Sequence, residues 1–426
     1  MMKFSEVLSS VNRRYLTWIV WGLRIVIGGL FVVSGLVKGI DIWGFVYKIE
    51  EYFAVWQWSV PHSLCVMAAL SVAIAEFVLG AMVVVGCYRR VSVWLLIVMM
   101  CVMLPLTLYI FISDPVADCG CFGDFWIISN GATFAKNLLI SGALVYLAVY
   151  NRKVKGVYRP YIQWIPAVGC FVYLLAVALF GYLVQPMIDF RSFPVGSFIL
   201  PAEVESDDDG RFEFVYEKNG VRQTFDIDNL PDSTWTFIDR TIVGGSDVDD
   251  ATELVVTEGG NNVTDEVIDT DGDQIIIVLP DYDRANVSYT YAVNELQRYI
   301  EKRGGSLIEL AAMDSGDIEQ WRDLSMATYP IYQAESTVLK ELARGVMAAV
   351  YIQNGRIVWK RSLSSIELEA LSHLDNDDNA LDLLAFDSGN MLKIWSLILA
   401  VLLMSVLLVD KCSAKVKCVV KSKKNK

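Results

Sequence analysis

Apolar residues fall into long unbroken runs at the two ends of the chain. Five occupy residues 16–37, 63–85, 91–112, 133–150 and 161–184, and a sixth covers 392–409. Each has about the 20 residues that cross ~30 Å of hydrocarbon at 1.5 Å per residue. The stretch between the fifth and sixth reads differently. Short alternating patterns at 212–217, 223–227 and 234–242 predict strands, separated by turn pairs such as Asp209-Gly210 and Asn219-Gly220. From Gln274 the pattern predicts a buried strand over 275–279 and a helix over 289–302 carrying Tyr291, Val293, Leu296 and Ile300. A strand over 306–311 and helices over 318–325 and 336–344 follow. Strands over 347–353 and 356–361 then meet at Asn354-Gly355. The expected fold is an α-helical membrane bundle of six crossings with an α/β domain between the last two.

Charge divides the same way. Residues 185–390 hold 40 acidic and 15 basic side chains, whereas the remainder holds 9 and 21. The overall net charge of −13 therefore conceals a basic membrane part and a strongly acidic folded part. Such an acidic surface argues against nucleic acid as a partner, and the apolar runs name the lipid bilayer as one. The first run is too long for a secretory signal and lacks a small-residue cleavage site, so a retained helix is expected.

Basic residues in short connections mark the cytoplasmic side. Lys3, Arg13 and Arg14 precede the first run, Arg89 and Arg90 follow the second, Arg152, Lys153, Lys155 and Arg159 follow the fourth, and seven lysines lie in the tail. The loops at 39–61 and 114–130 carry Lys48 and no base, respectively. Both termini are thus expected in the cytoplasm, with residues 185–390 outside it.

The loop at 114–130 contains Asp118-Cys119-Gly120-Cys121-Phe122-Gly123-Asp124. Two cysteines across one glycine, outside the cytoplasm, stand where disulfides form. So tight a ring is strained and suits exchange more than stapling. Asp118 and Asp124 would raise the thiol pKa values, and Lys38 and Lys136 would offset them. A structural disulfide remains an alternative, and metal binding is a weak one because the chain has two histidines, His62 and His373. Cys65 is a candidate resolving partner. Two charges fall deep in the apolar runs, Arg24 in the first and Glu76 in the second. An unpaired charge there costs at least ~2.5–3.5 kcal/mol, so an Arg24–Glu76 pair holding the bundle is expected. Gly22, Gly28, Gly29, Gly35, Gly39, Gly80 and Gly86 would let these two helices approach closely.

Leu23-Arg24 followed by Gly28, Phe31, Ser34-Gly35 and Lys38 resembles the first helix of the DoxX/MauE-like membrane family, and Glu76 with Gly80 and Gly86 resembles its second. Pro105-Leu106-Thr107-Leu108-Tyr109, leading into Asp114-Pro115 and the cysteine loop, resembles the MauE-type branch found in Bacteroides-like bacteria. The resemblance covers about residues 16–150 and implies a four-helix core, a bacterial inner-membrane location, and thiol or quinone redox at the periplasmic face. For MauE-type members it implies methylamine utilisation through maturation of a disulfide-rich periplasmic protein. Quinone is the cofactor it implies. Cys119 and Cys121 would be catalytic, with Lys38 tuning the loop.

The helix and strand order from Gln274 resembles the thioredoxin-like fold. It departs where that fold carries Cys-x-x-Cys, since Asp281-Tyr282-Asp283-Arg284 stands there, and the proline expected before the final hairpin is replaced near Val346. Such a degenerate domain would bind or position a periplasmic client rather than exchange thiols. The acidic run Asp269-Thr270-Asp271-Gly272-Asp273 places its glycine too early for a calcium loop. The expected divisions are 1–150 for the four-helix core, 151–184 for the fifth helix, 185–270 for a β-rich acidic segment and 271–370 for the thioredoxin-like domain. A linker at 371–390, the sixth helix at 391–410 and a basic tail at 411–426 follow. The alternative function is a non-enzymatic membrane assembly factor. A transporter lacks support, since Arg24–Glu76 is the only deep polar feature and no inverted repeat is visible.

Overall fold

The computed structural model describes residues 2–116, 119–121, 123–126, 128–200, 211–218, 221–226, 236–243, 253–366, 381 and 384–424. The side chains of 2–13, Asp124, the strands within 211–243 and 414–424 lie outside that description. Helices α1 (Met2–Ile40), α2 (Ile42–Val55), α3 (His62–Val85), α4 (Val91–Ser113), α5 (Asn130–Tyr150) and α6 (Trp164–Leu183) come first. Strands β1 (Arg211–Lys218), β2 (Val221–Asp226), β3 (Thr236–Val243), β4 (Val256–Glu258) and β5 (Asn261–Asn262) follow, then α7 (Thr264–Val267) and β6 (Asp273–Leu279). The folded domain continues through α8 (Thr290–Lys302), β7 (Ser306–Ala311), α9 (Ser315–Ser325), β8 (Ile331–Ala334), α10 (Ser336–Leu342), β9 (Ala348–Gln353) and β10 (Arg356–Ser362). The chain returns through α11 (Ser388–Lys424).

Among the described residues, six helical segments are long and apolar enough to cross a membrane: Arg14–Ile40, His62–Val85, Val91–Ser113, Asn130–Lys153, Pro160–Leu183 and Ser388–Ser413. Glycines set the α1–α3 contact. A Cβ on Gly28 would lie 2.7 Å from the Gly80 carbonyl oxygen, and one on Gly35 would lie 2.5 Å from the Phe77 amide nitrogen. The two backbones thus meet with no side chain between them, which is how helices gain dispersion contact where lipid offers no hydrophobic drive. Against α6, α11 is held by Tyr173 Oη and Ser396 Oγ at 2.8 Å, and at the far end by Arg159 Nε on Asp410 Oδ1 at 2.6 Å.

Residues 39–61 are not a loop, as the sequence suggested. Most of them form α2, capped by the Asp41 carboxylate, which accepts from the Gly44 amide at 3.0 Å. Ile42, Trp43, Phe45 and Val46 are buried along it. Spacings of three and four residues put these on one helical face, against the bundle.

The folded domain is built on a seven-stranded sheet in the order β10-β9-β6-β7-β8-β4-β5. Strands β6, β7 and β8 run parallel, β9 runs antiparallel to β6, and β10 antiparallel to β9. Ile275, Ile277 and Leu279 of β6 face the core containing α8 residues Val293, Leu296 and Ile300, while Ile276 and Val278 face Val338, Leu339 and Leu342 of α10. The period-two alternation of a strand therefore feeds two cores, so β6 reads as an unbroken apolar run. Strand β8 and the short pair β4–β5 were not foreseen. The first three strands form a separate antiparallel sheet, β2-β1-β3, close to the positions expected from sequence.

Candidate functional site

Helix α2 lies between the folded domain and the cysteine loop and touches both. Towards the loop, Tyr52 Oη donates to the Cys119 carbonyl at 2.8 Å, and the Lys48 stem packs on Gly120. Gly120 has φ +65°, the left-handed region where a side chain would be strained, so the one-residue spacer must be glycine for the loop to close. The thiols of Cys119 and Cys121 face each other with their sulfurs 3.2 Å apart. Cys119 is buried with Ile110 and Val116, whereas Cys121 is half-buried. The hydrogen bond between the thiols, then burial, raises the Cys119 pKa. The same bond, helped by the charges of Lys136 and Lys38, lowers that of Cys121 to about 7. The two members of the pair are therefore unequal: the half-buried Cys121 is the readier to ionise, and the buried Cys119 holds its proton.

A buried polar cluster under the loop fixes the Cys121 backbone. Lys38 Nζ donates to Glu76 Oε2 at 2.7 Å, to Ser34 Oγ at 2.7 Å and to the Cys121 carbonyl at 2.6 Å. Its three protons thus meet three acceptors. Ser34 Oγ lies 2.8 Å from both Glu76 Oε2 and the Cys121 carbonyl. Lys38 is 1% exposed and Arg24 0%, so each had to find partners.

The expected Arg24–Glu76 pair does not form. Arg24 instead donates to Asn151 Oδ1 at 2.7 Å and to the carbonyls of Asn151, Val154 and Lys155 at 2.9–3.1 Å, fastening the segment after α5. The reason is register: α1 and α3 align Gly28 with Gly80 and Arg24 with Gly86. Glu76 is then about ten residues away, ~15 Å along the axis. Side chains lean towards the N-terminus of their own helix, so in antiparallel neighbours the long arm of Lys38 and the carboxylate of Glu76 lean towards each other. Cys65 does not join the pair. It is buried in a different cluster, with Ile42, Trp43 and Ala69. Asp118 lies outside the described residues, as does the side chain of Asp124.

The reading from sequence missed Ser34, Tyr52 and Asn151. Ser34 was findable, since it stands four residues before Lys38 on the same helical face. Nothing local marks Tyr52 or Asn151.

On its other side α2 meets the folded domain. Arg344 Nη2 reaches Asp41 Oδ2 at 2.7 Å, and Arg284 Nη2 reaches Glu50 Oε1 at 3.0 Å. Burial works against the Asp41 carboxylate, but Arg344 and Arg191 outweigh it and hold the group below its usual range. His62 Nδ1 lies 2.7 Å from the same Glu50 oxygen, and the Trp43 ring stacks between His62 and Tyr182. The contacts come from the ends of the sheet: Arg284 follows β6, and Gly345 and Val346, which precede β9, border the same small cleft. Among the described residues no group of three or more His, Cys, Asp and Glu is placed to hold a metal ion.

Residues 16–150 match the model of the family described as Methylamine utilisation protein MauE. Residues 211–243, the antiparallel β2-β1-β3 sheet, match that of Domain of unknown function (DUF8463). No curated protein and no solved structure matches the chain. The part of this multi-pass helical segment that carries the paired thiols and the buried lysine–glutamate cluster is thus similar to the MauE family over residues 16–150.

Proposed function

We propose that this protein is a membrane thiol–disulfide oxidoreductase in which Cys121 attacks and Cys119 resolves, acting on extracytoplasmic proteins and so supporting their maturation. The observation that carries the reading is the pair of sulfurs 3.2 Å apart on a loop whose backbone Lys38 and Tyr52 hold from two sides. Closing to a disulfide of about 2.05 Å requires a small movement of one side chain. The Cys121 thiolate attacks one sulfur of a client disulfide, and the client's other sulfur leaves as a thiolate and takes a proton from water. Cys119 then gives up its proton and attacks Cys121 Sγ. This breaks the mixed disulfide, forms the Cys119–Cys121 bond and frees the second client thiol. The client gains two electrons and the pair loses two, and the reverse sequence oxidises a client. Regeneration calls for a second carrier of the dithiol class. A quinone fits poorly beside the pair, because the Lys38 and Ser34 groups that would bind its oxygen already serve Glu76 and the Cys121 carbonyl. No step is therefore written through it.

On this reading the cysteine loop and the folded domain lie outside the cytoplasm, in the periplasm of an inner-membrane protein; the basic connections at Arg89-Arg90, at 152–159 and in the tail support that side. We read the folded domain, which has no cysteine, as a thioredoxin-like platform that would present clients to the loop. The test is thiol trapping in cells by alkylation and mass spectrometry. Cys119 and Cys121 are expected to shift between dithiol and disulfide when the periplasmic redox poise is changed, and the Cys119→Ser/Cys121→Ser variant to lose maturation activity. Unchanging thiols, with full activity of the double variant, would favour the non-enzymatic assembly reading instead.

A further inference from the structure

A cavity of about 260 Å³ opens where α6 ends and α11 begins, at the end of the bundle that carries the folded domain. Its walls include Phe180 and Val184 from the end of α6, Phe386 and Ser388 from the start of α11, and Arg191 and Lys360 from the domain side. The volume is near the lower bound of roughly 300 Å³ for small-molecule sites. Arg191 and Lys360 are both buried, with side chains 2% and 3% exposed, and they share one carboxylate. Asp189 accepts from Arg191 Nε at 2.6 Å and from Lys360 Nζ at 2.8 Å. Within this cluster two cations, Arg191 and Lys360, face the single carboxylate of Asp189, while the neighbouring Arg344–Asp41 pair balances itself. Lys360 also donates to the Phe193 carbonyl, which leaves its third ammonium proton without an acceptor among the described residues. Burial brings the ammonium down to about 8 even with Asp189 beside it. A buried, unbalanced cation is costly, and an anion in the cavity would offset it.

The same helix pair continues into the membrane as an apolar groove of about 410 Å³, lined by Val168, Tyr173, Trp395 and Leu399 among others. Phe180 stands between the two spaces, its ring 5.8 Å from Phe386 and 6.2 Å from Trp395. A cationic pocket above an apolar groove on one seam matches a molecule with an anionic head and an acyl chain. We infer that the cavity takes the phosphate group of an anionic membrane lipid, with Lys360 as its counter-charge and one chain along the α6–α11 groove.

Native mass spectrometry of the full-length protein, after delipidation and addition of phosphatidylglycerol, phosphatidylcholine or inorganic phosphate, tests this. One phosphatidylglycerol should stay bound, with occupancy about tenfold above phosphatidylcholine, a difference of roughly 1.4 kcal/mol. Lys360→Met should lower that occupancy about tenfold, and so should Val195→Trp, which narrows the mouth without touching a charge. Val195→Trp decides if the lysine variant does not fold. Equal retention of phosphatidylglycerol by wild type and Val195→Trp overturns the inference. Displacement of the lipid by inorganic phosphate overturns its lipid part and assigns the pocket to free phosphate.

Discussion

Lys38 shows how a charge survives in the hydrocarbon layer: its three protons have three short acceptors, one of them the backbone of the cysteine loop. Removing either member of the Lys38–Glu76 pair leaves the other buried without its counter-charge, which costs roughly 3–5 kcal/mol. Lys38→Met and Glu76→Gln should each lower stability strongly, and together by much less than the sum. Arg24→Met combined with Glu76→Gln should be additive, because the two do not touch. Thermal melts of the single and double variants check both statements, and strong coupling between Arg24 and Glu76 would restore the discarded pairing. Cys121 offers a pH test. Its thiolate should appear through about pH 7, and Cys119→Ala, which removes the donated S–H, should move the midpoint up towards the ordinary ~8.5. The pH profile of Cys121 alkylation reports this, and a midpoint that does not move contradicts the proposed inequality of the thiols. The residue types of the site were legible in the sequence, since Cys-Gly-Cys and charged residues in apolar runs draw attention by themselves. The pairing was not, because counting residues into the bilayer ignores the direction in which each side chain leans and the register that glycine contacts impose.

Helices and strands were legible in proportion to their length and periodicity. All six spans and the strands β6, β7, β9 and β10 follow from apolar patterning. Helix α2 escaped because Asp41, Lys48, Glu50 and Glu51 gave residues 39–61 the composition of a loop, although Ile42, Trp43, Phe45 and Val46 carry a helical spacing. Strand β8 escaped because it has four residues and a single buried one, Ile331. The α1–α3 seam, in contrast, can be tested position by position. A methyl group on Gly35 would strike the backbone of α3, whereas one on Gly29 meets nothing within 4 Å. Gly35→Ala should therefore cost about 1–3 kcal/mol, as overpacking does. Gly29→Ala should be neutral or slightly stabilising. Comparison of melting temperatures decides, and equal effects would mean that the two helices do not pack on the Gly35 face.

At the scale of the molecule, segregation of charge and hydropathy announced a membrane bundle with an acidic folded domain, yet nothing in the sequence announced that the domain rests on α2. The contacts that seat it join positions as distant as Asp41 with Arg344 and Glu50 with Arg284. Pairings of such sequence separation leave no local pattern. The consequence for function is that α2 carries the dithiol loop on one side and the ends of the domain's strands on the other, so a protein held by the domain would stand near Cys121.

The most direct measurement is capture of that encounter. In cells expressing Cys119→Ser, the resolving thiol is absent, and Cys121 should accumulate in mixed disulfides with extracytoplasmic proteins, seen as thiol-sensitive bands on non-reducing gels and identified by mass spectrometry. The Cys121→Ser variant should give none. Absence of adducts from Cys119→Ser, or equal adducts from the two variants, would contradict the account.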